Sequence, residues 1–345
     1  MPVCALPSGD HVTVVTPAGA EPGRADRART RVVTVTPAPS IDRVYVVDAL
    51  RTGSVNRAHR IEVDIGGNGV NLARDLRAAG NDVVAVVPLD LESVVDLVDD
   101  ASLFRVVPVA HRPRVNTVIV GSDGVTTNVN QAATPLTAPE WRSLRAAAAQ
   151  EVRRLRPDWV VVGGTVPAGA ASLDPGPWAD LAGAGGGRLC LDSPGAVVAG
   201  WIERGVVPDL VSPNLAELED ATGRRIGTMG DVLDAAARLI DRGVGAVLVS
   251  LGARGAVLVD GDDIRWARTP PALVVNTTGA GDAALAGLVS RWNGDRDGAA
   301  AERALTDAVR WGRAAVSRMA PTIAPDEVDC VRVAIDAPPR SLRVD

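Results

Sequence analysis

Apolar residues fall into two kinds of run along this chain, and their alternation sets the first expectation. Val32 to Thr36, Val83 to Val87, Trp159 to Val162, Arg188 to Leu191, Leu210 to Val211, Ala246 to Ser250 and Ala256 to Val259 are short, β-prone stretches that read as strands. Between them lie longer runs with helical spacing, Asn71 to Ala79, Trp141 to Leu155, Asp231 to Arg242 and Glu302 to Met319. Strand, helix and strand repeated in this way predict an α/β fold with a parallel sheet covered on both faces. Two segments break the rhythm. Arg43 to Asp64 and Arg105 to Asn130 are β-rich, carry the turn signals Arg51-Thr-Gly and Gly121-Ser-Asp-Gly, and have no helix between their strands. They read either as a small separate sheet that serves as a lid over the substrate end or as a pair of surface hairpins.

Residues 1–30, rich in Pro, Gly, Ala and Arg, read as a poorly ordered extension. Within it His11-Val-Thr-Val-Val-Thr-Pro nearly echoes Arg31-Val-Val-Thr-Val-Thr-Pro, and the domain is placed at the second copy because the organised pattern follows it. The expected division is a domain over residues 31–335 and a tail over 336–345.

Composition narrows the chemistry. A hydrophobic fraction of 46% over 345 residues supplies a packed core, and a net charge of −6 argues against a broad nucleic-acid or membrane surface. The chain has no lysine, so all 36 basic residues are arginine. That excludes a lysine Schiff base, a pyridoxal-phosphate lysine and a Walker-type phosphate loop. Cys4, Cys190 and Cys330 are far apart and odd in number, and the three histidines are scattered, which gives neither a disulfide framework nor a zinc pattern. A cytoplasmic protein is expected, because the first residues lack signal-peptide order and no apolar run approaches the roughly eighteen residues of a membrane span.

The densest chemical signal is Asn276-Thr-Thr-Gly-Ala-Gly-Asp282, which follows the strand-like stretch Ala272 to Val275 and opens into a small-residue helix read over Ala283 to Trp292. Gly279 and Gly281 let backbone approach a ligand, and the N–H groups of a helix's first turn favour an anion. Asp282 beside a phosphate makes sense as a base that takes a proton from an attacking hydroxyl; as plain structure it is an N-cap. Asp42 follows the first strand, where a carboxylate can accept bonds from sugar hydroxyls or simply belong to a turn. Gly66-Gly-Asn-Gly-Val-Asn71 opens a helix but fails as a dinucleotide fingerprint, because Leu72 stands where the third glycine belongs. Arg112 and Arg114 offer guanidinium forks suited to a terminal phosphate. Asn214 and Glu217, three apart at a helix start, suit either water-mediated Mg²⁺ binding or a capping box. Ser250-Leu-Gly252-Ala-Arg-Gly255 is a glycine turn between strands that suits nucleotide phosphates.

In order along residues 31–335, these segments resemble the PfkB branch of the ribokinase-like carbohydrate kinases, and within it the 1-phosphofructokinases and tagatose-6-phosphate kinases. The resemblance is carried by Thr36-Pro-Ala-Pro-Ser-Ile-Asp42, Gly53-Ser-Val-Asn-Arg-Ala58, Gly66-Gly-Asn-Gly-Val-Asn71, Arg114-Val-Asn116, Gly164-Thr-Val-Pro-Ala-Gly169, Asp192-Ser-Pro-Gly195, Pro213-Asn-Leu-Ala-Glu217, Ser250 to Gly255 and Gly279 to Asp282. It implies a ribokinase-like, Rossmann-type sheet covered by helices with a small β-sheet lid, ATP and Mg²⁺ as cofactors, a hexose phosphate (fructose 1-phosphate before tagatose 6-phosphate or fructose 6-phosphate) as acceptor, and a homodimer formed through the lid. By the same resemblance, Asp282 is the base and Gly279, Ala280 and Gly281 form the anion hole. Asp42, Gly66, Gly67, Asn68, Asn71, Arg114, Asn116 and Thr165 bind substrate. Asn214, Ser250, Gly252, Gly255 and Thr278 bind nucleotide, and Asn214 with Glu217 organises Mg²⁺ through water. The chain departs from the pattern where Asn68 and Ser212 replace lysines, where Ala38 replaces asparagine, and over a shortened Pro88 to Leu103. Those departures leave open a kinase-derived binding protein with little turnover, and a nucleoside as acceptor.

Overall fold

The computed structural model describes residues 29–97, 100–122, 124–167, 176–294, 297–318, 323, 328 and 331–344. The extension expected over residues 1–30, except its last two positions, lies outside the described residues, as do the His11 echo and the Ala168-Gly169 end of one motif. In chain order the strands are β1 (Arg31–Val35), β2 (Ser40–Val47), β3 (Arg60–Gly66), β4 (Asp82–Leu89), β5 (Phe104–Pro108), β6 (Arg114–Gly121), β7 (Thr126–Asn130), β8 (Trp159–Gly163), β9 (Arg188–Asp192), β10 (Leu210–Val211), β11 (Ala246–Ser250), β12 (Ala256–Asp260), β13 (Asp263–Arg268) and β14 (Ala334–Asp336). The helices are α1 (Asn68–Ala78), α2 (Leu91–Val94), α3 (Ala138–Leu155), α4 (Gly176–Gly185), α5 (Gly195–Glu203), α6 (Leu215–Thr222), α7 (Met229–Asp241), α8 (Ala280–Val289) and α9 (Gly298–Val316).

The large sheet has the order β14-β13-β12-β11-β10-β9-β8-β1-β4-β5. From β11 to β5 every neighbour is parallel, and β12 to β14 add an antiparallel edge. Its strands are apolar on both faces because both are covered. Val33 and Val35 of β1, Val160 and Val162 of β8, and Val247 and Val249 of β11 face a core built with α3 to α7. Val32, Val161 and Leu248 face the opposite core, built with α1, α8 and α9. Each fully buried valine contributes about 1.5–3 kcal/mol of transfer free energy, so the central strands anchor the site that their carboxyl ends carry.

The second sheet is smaller, with the order β3-β2-β6-β7. The segment read as one β unit from Arg105 to Asn130 divides: β5 pairs in parallel with β4 in the large sheet, and only β6 and β7 join β2. Val106 and Val107 make β5 apolar enough to extend the large sheet, which the turn signals alone did not reveal. The strand read over Ala272 to Val275 is also corrected. Pro270 and Pro271 remove two donors, and the chain runs as a loop whose Val275 and Asn276 N–H groups donate to the Val316 carbonyl at 2.7 and 3.2 Å. That carbonyl belongs to the last residue of α9, so the loop hydrogen-bonds to the helix end. The following helix begins at Ala280 rather than Ala283 and ends at Val289, which puts Asp282 inside its first turn. The C-terminal segment is stitched to α7, where Met229 N donates to Leu342 O and Gly230 N to Arg340 O at 2.7 and 2.8 Å.

Candidate active site

Carboxyl ends of the parallel strands, the first turns of α1, α6 and α8, and the inner face of the small sheet enclose a cleft of about 320 Å³. Its floor is Asp282. Helix α8 starts at Gly279, whose left-handed φ of 79° a glycine adopts without strain, and no side chain caps its first turn. A Cβ on Gly281 would meet nothing within 4 Å, so the first turn of α8 borders open space beside the carboxylate. Asp282 itself is only 8% exposed and accepts a hydrogen bond from Asn71 Nδ2 at 2.8 Å. Burial pushes its carboxyl well above the ordinary range; the charges of Asp192, Asp75 and Asp42 add to the rise and the Asn71 amide opposes it. The arrangement is a buried proton acceptor next to an anion cradle.

Small-sheet residues form one wall. Strict alternation sends Asp42 of β2, Asn116 of β6 and Asn130 of β7 to the cleft, because the three are in register across the sheet. Asn116 Nδ2 donates to Asp42 Oδ1 (3.0 Å) and Ser40 Oγ (3.1 Å), while Ser40 Oγ donates to Asp42 Oδ1 at 2.6 Å. Gly66 lies behind Asp42, where a Cβ would fall 1.9 Å from its carboxylate oxygen. Arg114 is half-buried at the same wall; burial lowers its pKa and the Asp42 charge opposes that. Among the described residues lining the cleft it is the one cation.

Opposite lie Asn214, Glu217, Ser250 and Ser212. Asn214 and Glu217 form a full capping box on α6: Glu217 N donates to Asn214 Oδ1 at 3.0 Å and Asn214 N to Glu217 Oε2 at 2.9 Å. The structural alternative for this pair is therefore realised, and it orients both side chains at the cleft's rim. Gly67, Asn68, Thr165, Thr278 and Gly279 complete the lining. Gly252 and Gly255 are not lining residues and belong to the turn after Ser250; at Gly255, with φ 82°, a Cβ would fall 2.0 Å from Ala267 O. Ala280 is likewise outside the lining.

Sequence reasoning missed three side chains here. Asp192 ends β9, accepts from Asn68 Nδ2 at 3.0 Å, and has its carboxyl raised to about 7 by burial and the Glu217 charge against the Asn68 bond. Its signal was its place at a strand's carboxyl end. Asn130 and Ser40 gave only strand alternation as a clue.

A sequence profile described as pfkB family carbohydrate kinase matches residues 29–327. The chain belongs to the pfkB family. This pfkB-family chain is 34% identical over 265 residues to a 1-phosphofructokinase of Rhodobacter capsulatus, covering 75% of the chain and 83% of that protein. It is also 34% identical to one of Haloferax volcanii (84% and 90% covered) and 31% identical to one of Escherichia coli K12 (75% and 83%). Its fold is similar to that of phosphofructokinase-2 from Escherichia coli in complex with substrates and products, with a TM-score of 0.75 and 24% identity over 87% of this chain and 97% of that one. A possible 1-phosphofructokinase from Thermotoga maritima gives 0.74 and 20% over 89% and 100%. The pfkB sugar kinases use ATP as phosphate donor, generally with Mg²⁺. The residues present suit both: the first turn of α8, which no side chain caps, for phosphate, and Asn214 with Glu217 at the rim for a hydrated ion.

Proposed function

We propose that the chain is an ATP-dependent hexose-phosphate kinase that phosphorylates fructose 1-phosphate to fructose 1,6-bisphosphate. The observation that carries this reading is Asp282, a buried carboxylate of raised proton affinity in the uncapped first turn of α8, at the floor of a polar cleft. Its substrate assignment draws on the relatives named 1-phosphofructokinase.

When bound, ATP with Mg²⁺ supplies the γ-phosphoryl group. Asp42, steadied by Ser40 and Asn116, and Gly67 and Asn71 orient the acceptor's hydroxyls. Arg114 grips its phosphate. Asp282 takes the proton of the attacking hydroxyl onto a carboxylate oxygen, and the Gly279 to Gly281 backbone offsets negative charge at the transferred group. Asn214 and Glu217 orient water around the ion, and Ser250, Thr278 and the Gly252–Gly255 turn support the nucleotide. Such transfer depends on positioning and charge stabilisation, which this set supplies in kind.

The small sheet acts as lid and as dimer surface. Its inner face presents Asp42 and Asn116, while the opposite face leaves Ile61, Val63 and Val129 exposed at 55%, 41% and 61%. An apolar face across a thin sheet from an active site fits a second copy of the chain. ADP release measured with fructose 1-phosphate, fructose 6-phosphate and tagatose 6-phosphate tests the activity. Turnover is expected with fructose 1-phosphate at the highest kcat/KM; folded, ATP-binding protein inactive on all three sinks the reading.

A further inference from the structure

Asn68 and Asn71 stand three residues apart in the first turn of α1, so their side chains share one helix face. Each amide donates to a carboxylate on a different element, Asn68 to Asp192 at 3.0 Å and Asn71 to Asp282 at 2.8 Å. Asp192 is tied a second time through its backbone, since its carbonyl accepts from Gly164 N at 2.7 Å. The end of β8 in turn presses on α1: a Cβ on Gly163 would lie 3.3 Å from Gly69 N, and one on Gly164 would lie 3.4 Å from Asn68 Oδ1. The ends of β8 and β9 and the first turn of α1 are thus one block, with the Asn68–Asp192 bond as its side-chain fastening.

We propose that Asp192 is a positioning residue for phosphoryl transfer: through Asn68 it fixes the turn of α1 whose Asn71 holds Asp282, and it lines the same cleft as Asp282 as a second carboxylate. This rests on Asp282 being the base. The charged groups bearing on Asp282 are Asp192 from β9, Asp75 from α1 and Asp42 from β2, all acidic, with Asp192 foremost; Glu217 of α6 bears on Asp192 in turn. Asn68, which stands where the family pattern carries an ammonium, therefore acts toward the base through Asp192.

The two parts of the role separate by substitution. Asp192→Asn keeps an acceptor for Asn68 and removes the charge, so the acidic limb of kcat/KM against pH is expected to move down by about half a unit or more. Asn68→Ala keeps the carboxylate and removes the fastening, so kcat is expected to fall about tenfold while ATP binding measured by calorimetry stays close to the parent's. A merely structural Asp192 would change the melting temperature without moving the acidic limb. A parent-like pH profile in Asp192→Asn overturns the charge role, and parent-like kcat in folded Asn68→Ala overturns the fastening. Should Asp192→Asn not fold, the α1-side variant still decides the second. Near-normal kcat in Asp282→Asn removes the base itself; an inactive Asp282→Asn beside parent-like Asp192→Asn and Asn68→Ala sinks this inference alone.

Discussion

At the scale of single residues, function turns on how strongly Asp282 holds a proton. A carboxylate in water is a weak base for a sugar hydroxyl, and burial among Asp192, Asp75 and Asp42 strengthens it. Asp282→Asn keeps the Asn71 contact geometry but cannot accept the proton. Its kcat should drop by roughly 10²–10⁴-fold with ATP binding nearly intact, as single-turnover kinetics and calorimetry would show. Asn71 acts in the opposite sense, since its amide favours the ionised form. Asn71→Ala should therefore move the acidic limb of the kcat/KM profile to higher pH; a limb moving down would contradict the assigned hydrogen bond.

At the scale of elements, helix α8 shows how a backbone segment serves a site without contributing much to stability. Gly281 lies in the helix's first turn with open space where a side chain would go. Gly281→Ala should leave the denaturation midpoint unchanged or raise stability by up to about 1 kcal/mol, because alanine favours helix. The added methyl faces the phosphoryl cradle, so kcat/KM should fall. Gly195 is the contrasting case: at the start of α5 a Cβ would lie 2.1 Å from Glu217 O, which is backbone and cannot swing aside. The sequence shows both glycines, yet nothing local to either says that one opens a cradle and the other closes a helix contact.

At the scale of the whole molecule, buried acids tie stability to pH. Asp75 is fully buried in α1, accepts from Ile323 N at 2.8 Å, and has its carboxyl pushed up to about 8 by burial. An unfolded aspartate titrates near pH 4, so between about pH 4 and 8 the folded chain holds a proton there that the unfolded chain has lost. The stability from this group is fully present below about pH 4 and is lost as pH rises through about 8, at about 1.4 kcal/mol per pH unit. Denaturant melts from pH 5 to 8 should show stability declining with pH, and Asp75→Asn, which keeps an acceptor for Ile323, should flatten that decline. Assembly belongs to this scale too. If the proposed dimer forms through the small sheet, Ile61→Asp with Val63→Asp lowers the sedimentation coefficient to the monomer's, and a parent that sediments as a monomer or a variant that stays dimeric overturns that surface.

Alternating strands and helices and the ordered glycine motifs determined the fold class and most of the cleft's lining, because periodicity and turn chemistry are local properties; the absence of lysine excluded chemistries only. Asp42, Asn71, Asn214 and Asp282 could be named from sequence, since each sits next to a strand end or helix start that its neighbours announce. Only the tertiary structure decided the rest. Sending β5 to the large sheet and β6 to the small one is a matter of which strands find partners, and the loop before α8 takes its hydrogen bonds from the end of α9 rather than from a strand. Asp192 meets Asn68 across 124 residues of sequence, and Asp282 gains its proton affinity from acids on three other elements. Coulomb forces and desolvation act through space, so no run of neighbouring residues records them.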